Sequence, residues 1–186
     1  MNNFDNTKIF ISLKLIPQRR DDTFFPFVHF QEACYIFLQK LYPLFQNSKN
    51  LEDIHPLLGE ILLILSADTE KDFLHALYLF SSCRRILEQC NETCHQNEWN
   101  FSLDLVIAAD AGRADKIIIP GAGPFPDSVA WTGIHEERAS RISHAMEKGI
   151  HSGTLITHAF YKHLPEKAKE KYTTLYYIHH ICCYAE

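Results

Sequence analysis

The chain has 186 residues and a formal net charge of −5, with 46% hydrophobic and 22% charged residues. That length suits one domain with a sizeable core, so 1–186 reads as a single domain, and the acidic balance gives no electrostatic footprint for nucleic acid. The longest aliphatic run, at 61–65, is far too short to cross a bilayer. The N-terminus MNNFDNTK lacks a signal-peptide pattern, and six cysteines without one point to free thiols in a reducing, cytoplasmic compartment.

Residues 8–15, KIFISLKL, predict a first strand, because Ile9, Ile11 and Leu13 alternate with polar or bulky neighbours. Pro17, Arg19, Arg20, Asp21 and Asp22 then form a polar break. A helix is predicted over 25–45. Phe30, Cys34, Phe37, Leu41 and Phe45 keep its rhythm, Ala33, Leu38 and Leu44 widen the stripe, and Pro43 bends or ends it. Residues 47–50 make a turn. The stretch 55–65, HPLLGEILLIL, reads as a hairpin with Gly59-Glu60 at its tight centre; its continuous apolar second strand is expected to be buried on both faces. Asp68 or Thr69 caps a second helix that runs to about Cys94, with Phe73, Ala76, Leu77, Phe80, Leu87 and Cys90 inward. A strand at 101–109, a turn at Gly112-Arg113 and a strand at 116–119 follow. The loop at 120–127, PGAGPFPD, breaks both periodicities, and the final strand is expected at 172–178.

The segment 131–155 reads WTGIHEERASRISHAMEKGIHSGTL. Gly133 permits a tight entry into a helix whose apolar stripe is Ala139, Ile142 and Met146, with Glu137, Arg138 and Arg141 off that stripe. Lys148 suits the last turn, and Gly149 suits the residue after it. A β-branched strand at 154–157 follows. Thr157 can cap a helix over 158–164 that Pro165 closes. Taken together, the element order predicts an α+β fold with helices against one antiparallel sheet.

This segment resembles the C-terminal half of class III nucleotidyl (adenylate/guanylate) cyclase catalytic domains, whose pattern is G-D-x-V-N-x-A-x-R, helix, G, strand. Gly133, Ala139 and Arg141 agree; Ile134, Glu136 and Glu137 stand where the family has Asp, Val and Asn. The element order along nearly the whole chain is similar too, a ferredoxin-like βαββαβ core with a C-terminal extension. The resemblance implies attack of a ribose 3′-hydroxyl on an α-phosphate, with two metal ions held by two carboxylates. Lys14 stands at the first carboxylate position and Glu60 at the second. An ammonium cannot ligate Mg²⁺, and Asp21 or Asp22 would substitute only under a different strand register.

At the family's base-reading positions stand Pro56 and Ala130, neither able to read a purine edge; their neighbours His55 and Trp131 are a turn histidine and a core indole, or else base contacts. Arg141 stands at the position of the family's transition-state arginine, and Glu137 would repel triphosphate from the Asn position. The plainer expectation pairs Arg141 with Glu137 on the helix surface. The resemblance also implies active sites shared between two chains, hence a homodimer or a heterodimer with a cyclase-type domain.

The departures favour a degenerate domain, inactive alone, serving in nucleotide-linked signalling or as a regulatory partner. An active cyclase with altered ligands, using Mg²⁺ or Mn²⁺, and an unrelated α+β interaction domain are the alternatives. Cys83, Cys90 and Cys94 share a helical face as buried small residues would, which speaks against zinc.

Overall fold

The computed structural model describes residues 6–19, 26–57, 59–124, 126–147 and 153–186. Asp21, Asp22, Lys148 and Gly149 lie outside the described residues.

The centre of the fold is β1 (Thr7–Arg19), whose side chains alternate between two faces. Ile9, Ile11, Leu13 and Leu15 enter the main core, which α1 (Phe27–Gln46) and α2 (Glu70–Gln96) complete with Phe30, Phe37, Phe73 and Phe80. The other register, Phe10 and Ser12, faces α3 (His135–Ala145): Phe10 clusters with Ala139, and Ser12 bonds to Ser143. Two helices therefore cover one face, as expected, and α3 covers part of the other.

Strand order is β2-β3-β1-β4-β7-β9-β8. β2 (Leu51–Leu57), β3 (Glu60–Ser66), β1 and β4 (Phe101–Arg113) pair antiparallel, which is the ferredoxin-like arrangement anticipated from the sequence. β3 is buried along all but its last residue, in line with its unbroken apolar run. The sheet is not wholly antiparallel: β4 joins β7 (Thr154–Thr157) in parallel. The chain returns to the sheet through a crossover containing α3, and a crossover delivers a parallel strand.

Several boundaries differ from the sequence reading. β1 runs through Pro17 to Arg19, because beyond Lys14 only β4 pairs with it and its β3 side carries no ladder, so a missing N–H is tolerated. Glu60 is the first residue of β3 rather than part of the turn; Gly59 carries the left-handed conformation, with φ 75°. Pro43 does not end α1, which continues to Gln46. α2 begins after Thr69, whose N–H donates to the Asp72 carboxylate at 2.8 Å. β4 continues through Gly112-Arg113, so the turn falls at Ala114-Asp115.

β5 (Lys116–Ile119) pairs with an unexpected β6 (Ser128–Trp131) in a separate two-stranded sheet. α4 (His158–Tyr161) is shorter than expected; Thr157 Oγ1 accepts from the Phe160 N–H, and Pro165 opens α5 (Glu166–Lys169). β8 (Thr174–Ile178) is not the last strand: β9 (Ile181–Ala185) turns back and inserts between β7 and β8.

Cys83, Cys90 and Cys94 all lie buried on the core face of α2, and burial pushes the Cys83 thiol up to about 12 and Cys90 to about 11. No helix among the described residues is long and apolar enough to cross a membrane.

Candidate functional site

The stripe expected on α3 turns inward, with Ala139 and Ile142 fully buried and Met146 nearly so. That rotation leaves Glu136, Glu137, Ser140, Arg141 and His144 along the wall of an open cleft of about 810 Å³, whose opposite wall is the β2–β3 hairpin with His55 and Glu60.

Glu60 sits at the base of this cleft. Only 9% of its side chain is exposed. Its Oε1 accepts from Ser12 at 2.8 Å and from Ser140 at 3.0 Å. Its Oε2 has no hydrogen-bond donor among the described residues; the nearest cationic group is the His144 ring, with Nε2 at 3.8 Å. Directly across the β1–β3 ladder from Glu60 is Lys14, whose ammonium lies 2.6 Å from the carboxylate of Glu147, just beyond α3.

Other polar ties hold α3 in place. His55 Nε2 is 3.3 Å from Asp53 and Nδ1 is 3.6 Å from Glu136, so it links β2 to α3. Trp131 is a core indole: it is 8% exposed, packs edge-on to Phe10 with centroids 6.4 Å apart, and donates to Asp53 at 3.2 Å. Partial burial alone would raise the Asp53 carboxyl, but the Trp131 N–H and His55 outweigh it and hold it below the ordinary range.

At the start of α3, Asp110 is fully buried and accepts from the Ala111 N–H at 2.9 Å, from Thr157 Oγ1, and from His135 Nδ1 at 2.8 Å. His135 lies over Gly112 and stacks on Phe10.

Of the residues expected from the sequence, His55, Glu60, Glu137 and Arg141 share the cleft. Arg141 is paired to Glu137 four residues earlier, with side chains 58% and 60% exposed, so the plain surface pair is what is found. Pro56 pairs with Ile61 in the hairpin ladder and Ala130 with Ile117 in the small sheet; neither lines the cleft, nor do Lys14 and Trp131.

Sequence reasoning missed Ser12, Ser140, His144 and the Asp110–His135 pair. Ser12 and Asp110 carried a usable signal, as polar residues inside otherwise apolar strands. Ser140 and His144 carried none, being ordinary polar residues on an exposed helix face.

The donor set does not fit a two-metal centre. Mg²⁺ needs several hard oxygen ligands. The cleft offers one buried carboxylate, half occupied by hydroxyl donors, with an ammonium opposite. Among the described residues, no three His, Cys, Asp or Glu side chains are grouped to hold a metal.

The strand order and the helix covering part of the second face define a ferredoxin-like α+β domain with a C-terminal extension. No protein-family model and no curated sequence matches the chain. Solved structures do match. The guanylyl cyclase Cya2 superposes with a TM-score of 0.72 at 11% identity, covering 96% of this chain and 90% of that one. The adenylyl cyclase CyaB from P. aeruginosa gives 0.68 at 11%, covering 96% and 94%. A class III adenylyl cyclase-like ATP-binding protein from Pseudomonas aeruginosa gives 0.65 at 15%, covering 89% of this chain and 36% of that one. The chain therefore has the fold of class III nucleotidyl cyclase catalytic domains, and the alternative of an accidental motif on an unrelated fold is set aside.

Proposed function

We propose that this chain is a degenerate class III cyclase-like domain. It makes no cyclic nucleotide alone and acts as the regulatory partner in a homodimer or heterodimer within nucleotide-linked signalling. The observation that carries this is Lys14 facing Glu60 across the β1–β3 ladder. An ammonium there repels a divalent cation, and Glu147 holds it in place. Glu137 adds a second departure, a carboxylate beside Arg141 on the wall where triphosphate charge would need neutralising. For assembly, the support is the exposed face of residues 133–141, where Ile134 is 50% exposed and Arg141 points outward. A partner chain carrying both metal carboxylates would use Arg141 as the donated arginine.

Light scattering, with mass-spectrometric product detection in Mg²⁺ or Mn²⁺ and each nucleoside triphosphate, tests both halves. A dimer without product is expected. A monomer at micromolar concentration removes the assembly half. Cyclic nucleotide from the pure chain, abolished by Arg141→Ala, overturns the inactive half in favour of an enzyme with altered ligands.

A further inference from the structure

We infer that a second pocket, between α3, α4 and the β8–β9 turn, takes a phosphate monoester on a small carrier. Its lining shares no residue with the cleft over Glu60, so the inference goes beyond the proposed function.

The pocket measures about 280 Å³ and draws on segments far apart in the chain: Arg138 from α3, Thr157 at the end of β7, His158 and Lys162 at the two ends of α4, and His180 from the hairpin turn. Arg138 and Lys162 make the lining formally +2 before any histidine is counted. No carboxylate stands among the lining residues, although the whole chain carries −5. Folding therefore gathers like charges from separate elements, and an anion held between them would remove their mutual repulsion.

Two observations besides the charge point to a ligand. The first is Arg138. Its side chain is 37% exposed, and its ion-pair partner, Asp110 Oδ2, is 4.0 Å away and already bonded to His135. Asp110 Oδ1 is taken by the Ala111 N–H and Thr157. Among the described residues the guanidinium makes no hydrogen bond, so a partly buried fork of donors remains to be filled at the pocket wall. The second is the turn. His179 and His180 have φ of 49° and 65° in a two-residue hairpin loop, where asparagine and glycine are the ordinary choice. A non-glycine residue is held there at a cost in stability, and such residues gather at ligand clamps. Here His180 puts an imidazole on the wall of the pocket.

The donor set selects the class of anion. A phosphate monoester carries roughly −2 charge near pH 7, which matches the two cations, and it offers several acceptor oxygens. The Arg138 fork can take two of those oxygens side by side, and Lys162, whose ammonium pairs with no carboxylate among the described residues, adds a mobile point charge. A lone carboxylate would leave one cation unmatched. His158 Nδ1 meets Tyr184 Oη at 3.1 Å, which holds its ring in place beside Thr157. The volume lies at the small end for ligand sites, hence a small carrier.

The test is calorimetric titration of the full chain with phenyl phosphate at constant ionic strength, with phenylacetate as the singly charged control. Phenyl phosphate should bind about tenfold or more tightly than phenylacetate. Arg138→Gln should weaken it by about tenfold or more, the scale of hydrogen bonds to a charged group. Lys162→Gln should weaken it several-fold, and Lys40→Gln, which removes a charge from the exposed side of α1, should leave it unchanged. His180→Gly is the discriminating variant. Glycine relieves the positive φ, so the melting temperature should rise; loss of the imidazole should weaken phenyl phosphate several-fold in the same protein. A histidine with only a structural role would give the first effect without the second. Melting temperatures check that each variant folds, and should Arg138→Gln unfold, Lys162→Gln at its exposed position carries the charge test. Failure of phenyl phosphate to bind, equal binding of phenylacetate, equal losses in Lys162→Gln and Lys40→Gln, or unchanged affinity in His180→Gly overturns the inference. These outcomes are independent of cyclic-nucleotide production, which bears on the proposed function alone.

Discussion

Gly112→Ala is a sharp test of how α3 is held over the sheet. Gly112 lies in β4, and no unusual φ requires a glycine there; what requires it is space. A Cβ at this position would lie 2.0 Å from His135 Nε2 and 2.2 Å from its Cε1. The ring would have to leave, and with it the 2.8 Å bond to the fully buried Asp110. A hydrogen bond to a charged group contributes roughly 1.5–3 kcal/mol, and a buried carboxylate that loses a donor stands at the upper end. Asp110 would keep the Ala111 N–H and Thr157, so the expected loss is about 2–3 kcal/mol. For a chain of this size that is about 4–12 °C in melting temperature. A double-mutant cycle with His135→Ala isolates the cause. Once the ring is gone, adding a methyl at 112 should cost under about 0.5 kcal/mol more, because the clash and the bond have both been removed. The assay is denaturant unfolding of the four variants. Equal costs of Gly112→Ala in both backgrounds would refute the reasoning, since the glycine would then be needed for something other than the His135 ring.

Three further outcomes are expected. Calorimetry without nucleotide should show no tight Mg²⁺ site, and Glu60→Ala should change nothing in that titration; a tight site lost in this variant would reopen metal catalysis. The Trp131 N–H and His55 outweigh partial burial and hold the Asp53 carboxyl below the ordinary aspartate range, so it contributes stability that is present above the unfolded pKa and lost as pH falls through the folded one. Asp53→Asn should therefore lose less stability than the unmutated chain on acidification from about pH 5 to pH 3, and equal losses by denaturant titration would remove Asp53 from the account. Glu137→Gln should cost no more than about 0.5 kcal/mol, because its pair with Arg141 is exposed; a thermal melt showing several times that would mean Glu137 has a buried role.

The main fold was legible because its elements obey a period. β1 alternates, β3 is an unbroken apolar run, and α1 and α2 each carry one stripe, so their faces and neighbours follow from the pattern. What escaped lacks a period or an ordinary turn signal. β6 is four residues after a proline-rich loop, paired only to the exposed β5. β9 was lost because its hairpin turns at His179-His180, with φ of 49° and 65°, where glycine or asparagine normally marks the left-handed conformation. The parallel β4–β7 join could not be read locally at all, since it depends on where a crossover lands.

For the cleft, the sequence could name Glu60, His55, Glu137 and Arg141 and the local Glu137–Arg141 pair, but not the partners of Glu60 and His55, because those depend on which face of α3 turns inward. That rotation is set by Ala139, Ile142 and Met146, and it has a consequence for how the cleft works. Three polar ties run from one side of α3 to the β1–β3 region: Glu136 to His55, Ser140 to Glu60, and Glu147, just past the helix, to Lys14. His55 and Glu60 line the cleft, and Lys14 faces Glu60 across the β1–β3 ladder. Ser140 is held by Glu60 Oε1, and His144, one turn further on, stands 3.8 Å from Glu60 Oε2. Arg141 lies between those two residues on the same helix. The floor of the cleft and the exposed arginine are thus joined through a single short helix.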